Sequence, residues 1–131
     1  MTPDTITLTL PPEREFQRVA HLVLGGLAVR LNLTLEALED LQLALDGLLD
    51  SGSAEEEEVT LQLRVVDGAI EASVGPFRAE SVQHALEAEA DGVGLRRVLD
   101  TVVDRVEVDA REGGDWVQLT KRIDPQRDGA A

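Results

Sequence analysis

The sequence predicts an α/β fold, a two-layer sandwich whose antiparallel or mixed sheet is covered on one face by helices. Apolar and polar residues alternate over 5–10, 59–65, 70–74, 106–110 and 116–123, the period of a strand with one buried side. Apolar residues recur at helical spacing over 13–31, 34–50 and 95–102. Turn-forming residues separate neighbouring strands at Asp67-Gly68 and at Glu112 to Asp115, so these strands pair as antiparallel hairpins. The resulting order is β-α-α-β-β, a variable segment, then α-β-β.

Each element has its own signal. Ile6, Leu8 and Leu10 alternate with threonines, and Pro11-Pro12 ends that strand. Phe16, Val19, Ala20, Val23, Leu24 and Leu27 fall on one side of the first helix. Gly25 and Gly26 interrupt this helix at roughly 1 kcal/mol each relative to alanine, which predicts close packing by another element, or a bend, ahead of any ligand role. Asn32-Leu33 breaks the chain, and Thr34 is placed to cap the second helix, with Glu36 and Glu39 near its positive end. Leu38, Leu41, Leu45, Leu48 and Leu49 form that helix's inward stripe, and Ser51-Gly52 closes it. An acidic link follows through Glu58. Val59, Leu61, Leu63 and Val65 then mark one strand, and Ile70, Ala72 and Val74 the next, which Gly75-Pro76 is expected to stop.

Phe77 to Asp91 has no strong period, although Val82 to Ala90 favours helix; we expect a mobile segment there. The stretch Asp91 to Val108 is the most informative. A Gly-x-Gly turn opens a helix with Leu95, Val98, Leu99 and Val102 on one face, and Val106, Val108 and Ala110 then alternate as a strand. Glycines opening a helix expose backbone N–H groups suited to an anion, or simply provide a flexible entry. The last strand puts Val117, Leu119 and Lys121 on one face, and Trp116 alternates out of it, as a contact patch or as sheet packing.

Bulk composition narrows the function. The 131 residues suit one domain, expected over 1–123, with a disordered tail over 124–131. Aromatics are 2% of the chain, so the core must be aliphatic. A net charge of −14 disfavours nucleic acid and anionic membranes, and steers basic partners towards the protein. With no cysteine there is no disulfide, thiolate metal site or cysteine nucleophile. Neither a signal peptide nor an apolar run of about 20 residues is visible, which predicts a cytoplasmic protein. His21 and His84 have no spaced partner and read as helix-surface residues.

Three motifs carry a resemblance. They are Leu38-Glu39-Asp40-Leu41-Gln42-Leu43-Ala44-Leu45-Asp46; Gly92-Val93-Gly94-Leu95, followed by Leu99, Val103, Asp104 and Val106-Glu107-Val108; and Leu119-Thr120-Lys121-Arg122-Ile123. Together with the element order, they resemble the GHKL ATPase fold of gyrase, histidine kinases and the heat-shock chaperone. Within it, the chain is most similar to bacterial anti-sigma factors that are also serine kinases. In such proteins the helix of the first motif, the N-box, supplies a glutamate base and, four residues on, an asparagine for Mg²⁺. Aligned through Ala44-Leu45-Asp46, these places fall on Gly47 and Ser51. A one-residue shift puts Asp46 and Asp50 there instead, on the other flank of the leucine stripe; the surrounding match favours the first. The family's adenine-binding aspartate, in a strand-end Asp-x-Gly-x-Gly, has only Ser73 here, before Gly75-Pro76.

What the resemblance implies is a regulatory protein acting by partner switching, with a degenerate ATP site. Its vestigial nucleotide-binding residues are Gly92, Gly94, Leu95, Ser51 and Ser73, with no catalytic residue, metal ligand or cofactor. The implied partners are a sigma factor, an anti-anti-sigma protein and a second copy of the chain, but neither nucleic acid nor membrane. The alternative is an active ATP- and Mg²⁺-dependent serine/threonine protein kinase phosphorylating the anti-anti-sigma partner.

Overall fold

The structure, a computed structural model, describes residues 5–11, 13–52, 58–66, 68–78, 84, 86–87, 94–111 and 113–123, without the side chains of 14, 51 and 52. The acidic link over 53–57, most of the variable segment, Gly92 and the tail over 124–131 lie outside the described residues. The described chain is α/β. Strand β1 (Thr5–Leu10) leads through a 3-10 turn (Arg14–Phe16) into α1 (Gln17–Leu31) and α2 (Leu35–Gly52). The hairpin β2 (Val59–Val66) and β3 (Ala69–Phe77) follows, then α3 (Leu95–Val102), β4 (Arg105–Arg111) and β5 (Gly114–Arg122). The sheet has the order β1-β2-β3-β5-β4, and every neighbouring pair is antiparallel.

The helices take their ends from local chemistry. Asn32 closes α1 in the left-handed conformation, at φ 61°, and the Leu33 N–H reaches back to the Ala28 carbonyl at 2.9 Å. Thr34 caps α2, its hydroxyl accepting from the Ala37 N–H at 3.0 Å. The α2 leucines Leu41, Leu45, Leu48 and Leu49 are buried against Leu61, Leu63, Ile70, Ala72, Val74, Val117 and Leu119 of the sheet, with Leu24 and Leu27 of α1 and Leu99 of α3 completing the core. An aliphatic core of this kind is stabilised by roughly 25 cal/mol for each Å² of apolar surface removed from water.

The sheet's other face is polar. One row crosses it in register, Thr7, Gln62, Ser73, Gln118 and Glu107. A second row runs Thr5, Arg64, Glu71, Thr120 and Arg105.

Four expectations are corrected. Gly75-Pro76 does not stop β3, which continues to Phe77; an irregularity in register between Val74 and Phe77 accommodates the proline. Gly25 and Gly26 admit no closely packed element, since a Cβ added at either meets nothing within 4 Å. The buried side of β4 ends at Val108, because Ala110 is exposed. His21 has a partner after all, Asp46, at 2.8 Å. Trp116 belongs to sheet packing. A Cβ on Gly75 would lie 2.7 Å from its ring, and the Arg111 guanidinium sits 4.7 Å from the ring centroid on the same strand pair.

Candidate functional site

The site is built where α2 meets the start of α3. Successive residues turn by ~100°, so the two flanks of α2 beside its leucine stripe face different neighbours. One flank faces α1. There Asp46 pairs with His21 at 2.8 Å, and Asp50 accepts from the Gln17 side-chain amide at 3.3 Å. The other flank faces α3, and Gly47 lies on it: a Cβ built there would be 3.0 Å from Leu95 Cδ1. Ser51 stands one turn further along α2; its side chain lies outside the description.

Gly94 is the N-cap of α3, in an extended conformation at φ −89° and ψ 167°. Its carbonyl accepts from the Arg97 N–H at 3.1 Å and the Val98 N–H at 3.2 Å. Leu95 therefore starts the helix with its side chain laid over Gly47. Gly92 lies outside the described residues. Ser73 is not brought to this place. It alternates with the buried Ala72 and Val74 and falls on the polar sheet face, between Gln62 and Gln118.

The chemistry available here is limited. The position that the resemblance assigns to a base is a glycine under a leucine, with neither a carboxylate nor space for one while Leu95 stays in place. Three of the α2 carboxylates serve other contacts. Asp40 takes Lys121 at 2.9 Å, and Asp46 and Asp50 take α1 as described. Among the described residues, no group of three or more His, Cys, Asp or Glu is placed to hold a metal ion. Arg96 in the first turn of α3 pairs with Asp100 at 3.3 Å, four residues on. An open groove of about 340 Å³ lies by Glu15, Gln17, Arg18, His21 and Asp46. A second hollow, of about 230 Å³, lies at the other end of the α1–α2 hairpin, bordered by Thr34, Asp40 and Lys121 among others.

Lys121 is a residue whose part the sequence reading did not assign. Its ammonium, on the inner face of β5, donates to Asp40 and to the Val102 carbonyl, each at 2.9 Å. It thereby ties β5, α2 and the end of α3 together. A lysine in register with Val117 and Leu119 was the signal, since a cation on a core face needs a paired acid.

Searches against known proteins agree with this architecture. No family model matches. The chain is 27% identical to the serine-protein kinase RsbW of Listeria innocua over 95% of this chain and 90% of that one. It is likewise 27% identical to the Bacillus pumilus protein of the same name, over 96% and 90%. With that of Halalkalibacterium halodurans it shares 28%, over 96% and 86%. The crystal structure of the RsbU and RsbW domains of Rv1364c from Mycobacterium tuberculosis matches with a TM-score of 0.66 at 17% identity. That match covers 92% of this chain and about a third of the other, 32%, and shows the shared fold. Over nearly its whole length, then, the chain is similar in sequence to RsbW serine-protein kinases and shares the fold of an RsbW domain, as the GHKL anti-sigma-factor resemblance implies.

Proposed function

We propose that the chain is an anti-sigma-factor-like regulator that works by binding proteins, exchanging a sigma factor for an anti-anti-sigma protein, and that it carries out no phosphoryl transfer. The similarity to RsbW proteins supports the regulatory part. The observation that carries the second part is Gly47 beneath Leu95, 3.0 Å from the position of a Cβ. Phosphoryl transfer is positioning and charge stabilisation, so a site without its base or its metal-holding residue has little to work with. The protein acts in the cytoplasm as a homodimer, and its acidic surface suits a basic face on the sigma factor.

The second reading is an ATP- and Mg²⁺-dependent serine/threonine kinase acting on the anti-anti-sigma protein, favoured by the name its relatives bear. Thermal unfolding with and without Mg·ATP separates the two. A site occupied at a hundred times its dissociation constant adds about 2.7 kcal/mol to the folded state. For a chain of this size that raises the midpoint by on the order of 10 °C. The expected result is no shift at millimolar Mg·ATP. A rise that disappears in the Gly94→Val variant would overturn the binding-module reading.

A further inference from the structure

We propose that the solvent-facing side of α2 is a docking surface for another protein, and that its occupant is a basic amphipathic helix laid along the row Leu35, Glu39, Leu43. The inference rests on the protein-binding reading above and gives that reading a surface and a partner chemistry.

The outer side of α2 is apolar where water would favour polar residues. Leu35 and Leu43 are left 69% and 51% exposed. With Glu39 between them they form one i, i+4, i+8 row, the kind of ridge that a second helix takes into the groove between its own rows. The leucines stand eight residues apart, about 12 Å along the axis. Apolar residues two turns apart on a partner helix match that spacing. Gly47 continues the row without a side chain, so the ridge ends in a dent beside the tip of Leu95.

The neighbours of Leu43 are acids. Glu36 and Glu39 precede it by seven and four residues, and Asp46 and Asp50 follow it by three and seven, all on the same side of the helix. In all, α2 holds five carboxylates and no basic residue. This pattern does not serve the helix itself. Glu36 with Asp40, and Asp46 with Asp50, are like charges at i, i+4, and Asp50 lies in the last turn, at the negative end of the dipole. Elsewhere the chain balances charge locally, Arg105 with Glu107 and Arg111 with Asp109 along β4, and Arg96 with Asp100 in α3. On α2, Lys121 meets Asp40 and His21 meets Asp46, but Glu36 and Glu39 meet no cation among the described residues. An uncompensated acidic rim around exposed leucines is complementary to a helix with an apolar seam edged by lysine or arginine. The carboxylates steer such a helix in, and the leucines hold it.

The probe is a fluorescein-labelled helical peptide of Leu, Lys, Arg and Ala, about three heptads long, with its leucines on one seam. Its control is a scrambled peptide of the same composition. Fluorescence anisotropy, followed as the full chain is added, measures both affinities. The seam peptide is expected to bind about tenfold tighter than the scrambled one or better, and to shift the amide resonances of residues 35–50 in the ¹⁵N-labelled chain. Leu43→Gln preserves charge and helix propensity, and is expected to weaken the seam peptide by about tenfold. Glu36→Gln/Glu39→Gln does the same, whereas Glu107→Gln/Asp109→Asn, which removes as much charge from the β4 edge, changes affinity by no more than about twofold. Trp116 fluorescence confirms that each variant is folded. Absence of binding, equal binding of the two peptides, equal binding by Leu43→Gln and the wild type, or amide shifts centred away from α2 would each overturn the docking surface. The Mg·ATP unfolding measurement is independent of the peptide. A midpoint shift there strikes the binding-module reading, and failure of the peptide without such a shift strikes this surface alone.

Discussion

At the scale of single residues, two of the glycines at close approaches, Gly47 and Gly75, differ in what they approach. Gly47 meets the tip of Leu95, a flexible half-buried side chain that can give way. Gly75 meets a rigid indole: an added Cβ would stand 2.7 Å from one ring carbon, 2.8 Å from another and 3.0 Å from the Asp115 carbonyl oxygen. Gly75→Ala must therefore lift Trp116 from the sheet or bend β3. Overpacking of this kind typically costs ~1–3 kcal/mol. Urea unfolding followed by Trp116 fluorescence should show the midpoint fall by that equivalent, with a shifted native emission maximum. Gly47→Ala should be far milder, because helix propensity offsets the contact. Neither approach was legible in the sequence. The motif alignment identified Gly47 by what it lacks, whereas Leu95 is what fills the gap, and that is visible only once α3 is packed on α2. The face Ser73 occupies was readable from its alternation with Ala72 and Val74, whereas its distance from Gly47 and Leu95 follows only once the helices are packed on the opposite side of the sheet.

At the scale of elements, periodicity located every strand and helix among the described residues, because each buries one face against the same aliphatic layer. The misreadings fell where a local signal had two physical meanings. The proline that should have ended β3 was absorbed by a shift in register, and the α1 glycines that should have marked packing mark an empty flank. The helices are joined to the sheet by more than apolar contact, and Lys121 shows this best. It is 17% exposed, its partner Asp40 is 28% exposed, and the same ammonium closes the end of α3 through the Val102 carbonyl. Replacing it with methionine keeps much of the stem's packing but leaves Asp40 half-buried without its cation. Hydrogen bonds to charged groups are worth about 1.5–3 kcal/mol, and partial exposure brings the expected loss down to ~1–2 kcal/mol. Equilibrium urea unfolding of Lys121→Met measures it. The variant Lys121→Met/Asp40→Leu should recover part of the loss, since removing both partners leaves no orphaned charge. If the single variant is as stable as the wild type, the tie between β5, α2 and α3 is not an energetic one.

At the scale of the whole molecule, charge is distributed by layer, and this arrangement joins fold to function. The α2 helix gathers Glu36, Glu39, Asp40, Asp46 and Asp50. The polar sheet face balances Arg64 with Glu71 at 3.5 Å and carries paired charges along β4. β1 and α1 bear no carboxylate. The total was legible from composition, but its segregation required knowing which elements share a face. A compact chain at −14 repels itself, and that repulsion reaches about 30 Å at 0.01 M ionic strength but only about 8 Å at 0.15 M. Added salt should therefore raise the urea midpoint, the opposite of what surface ion pairs alone would give.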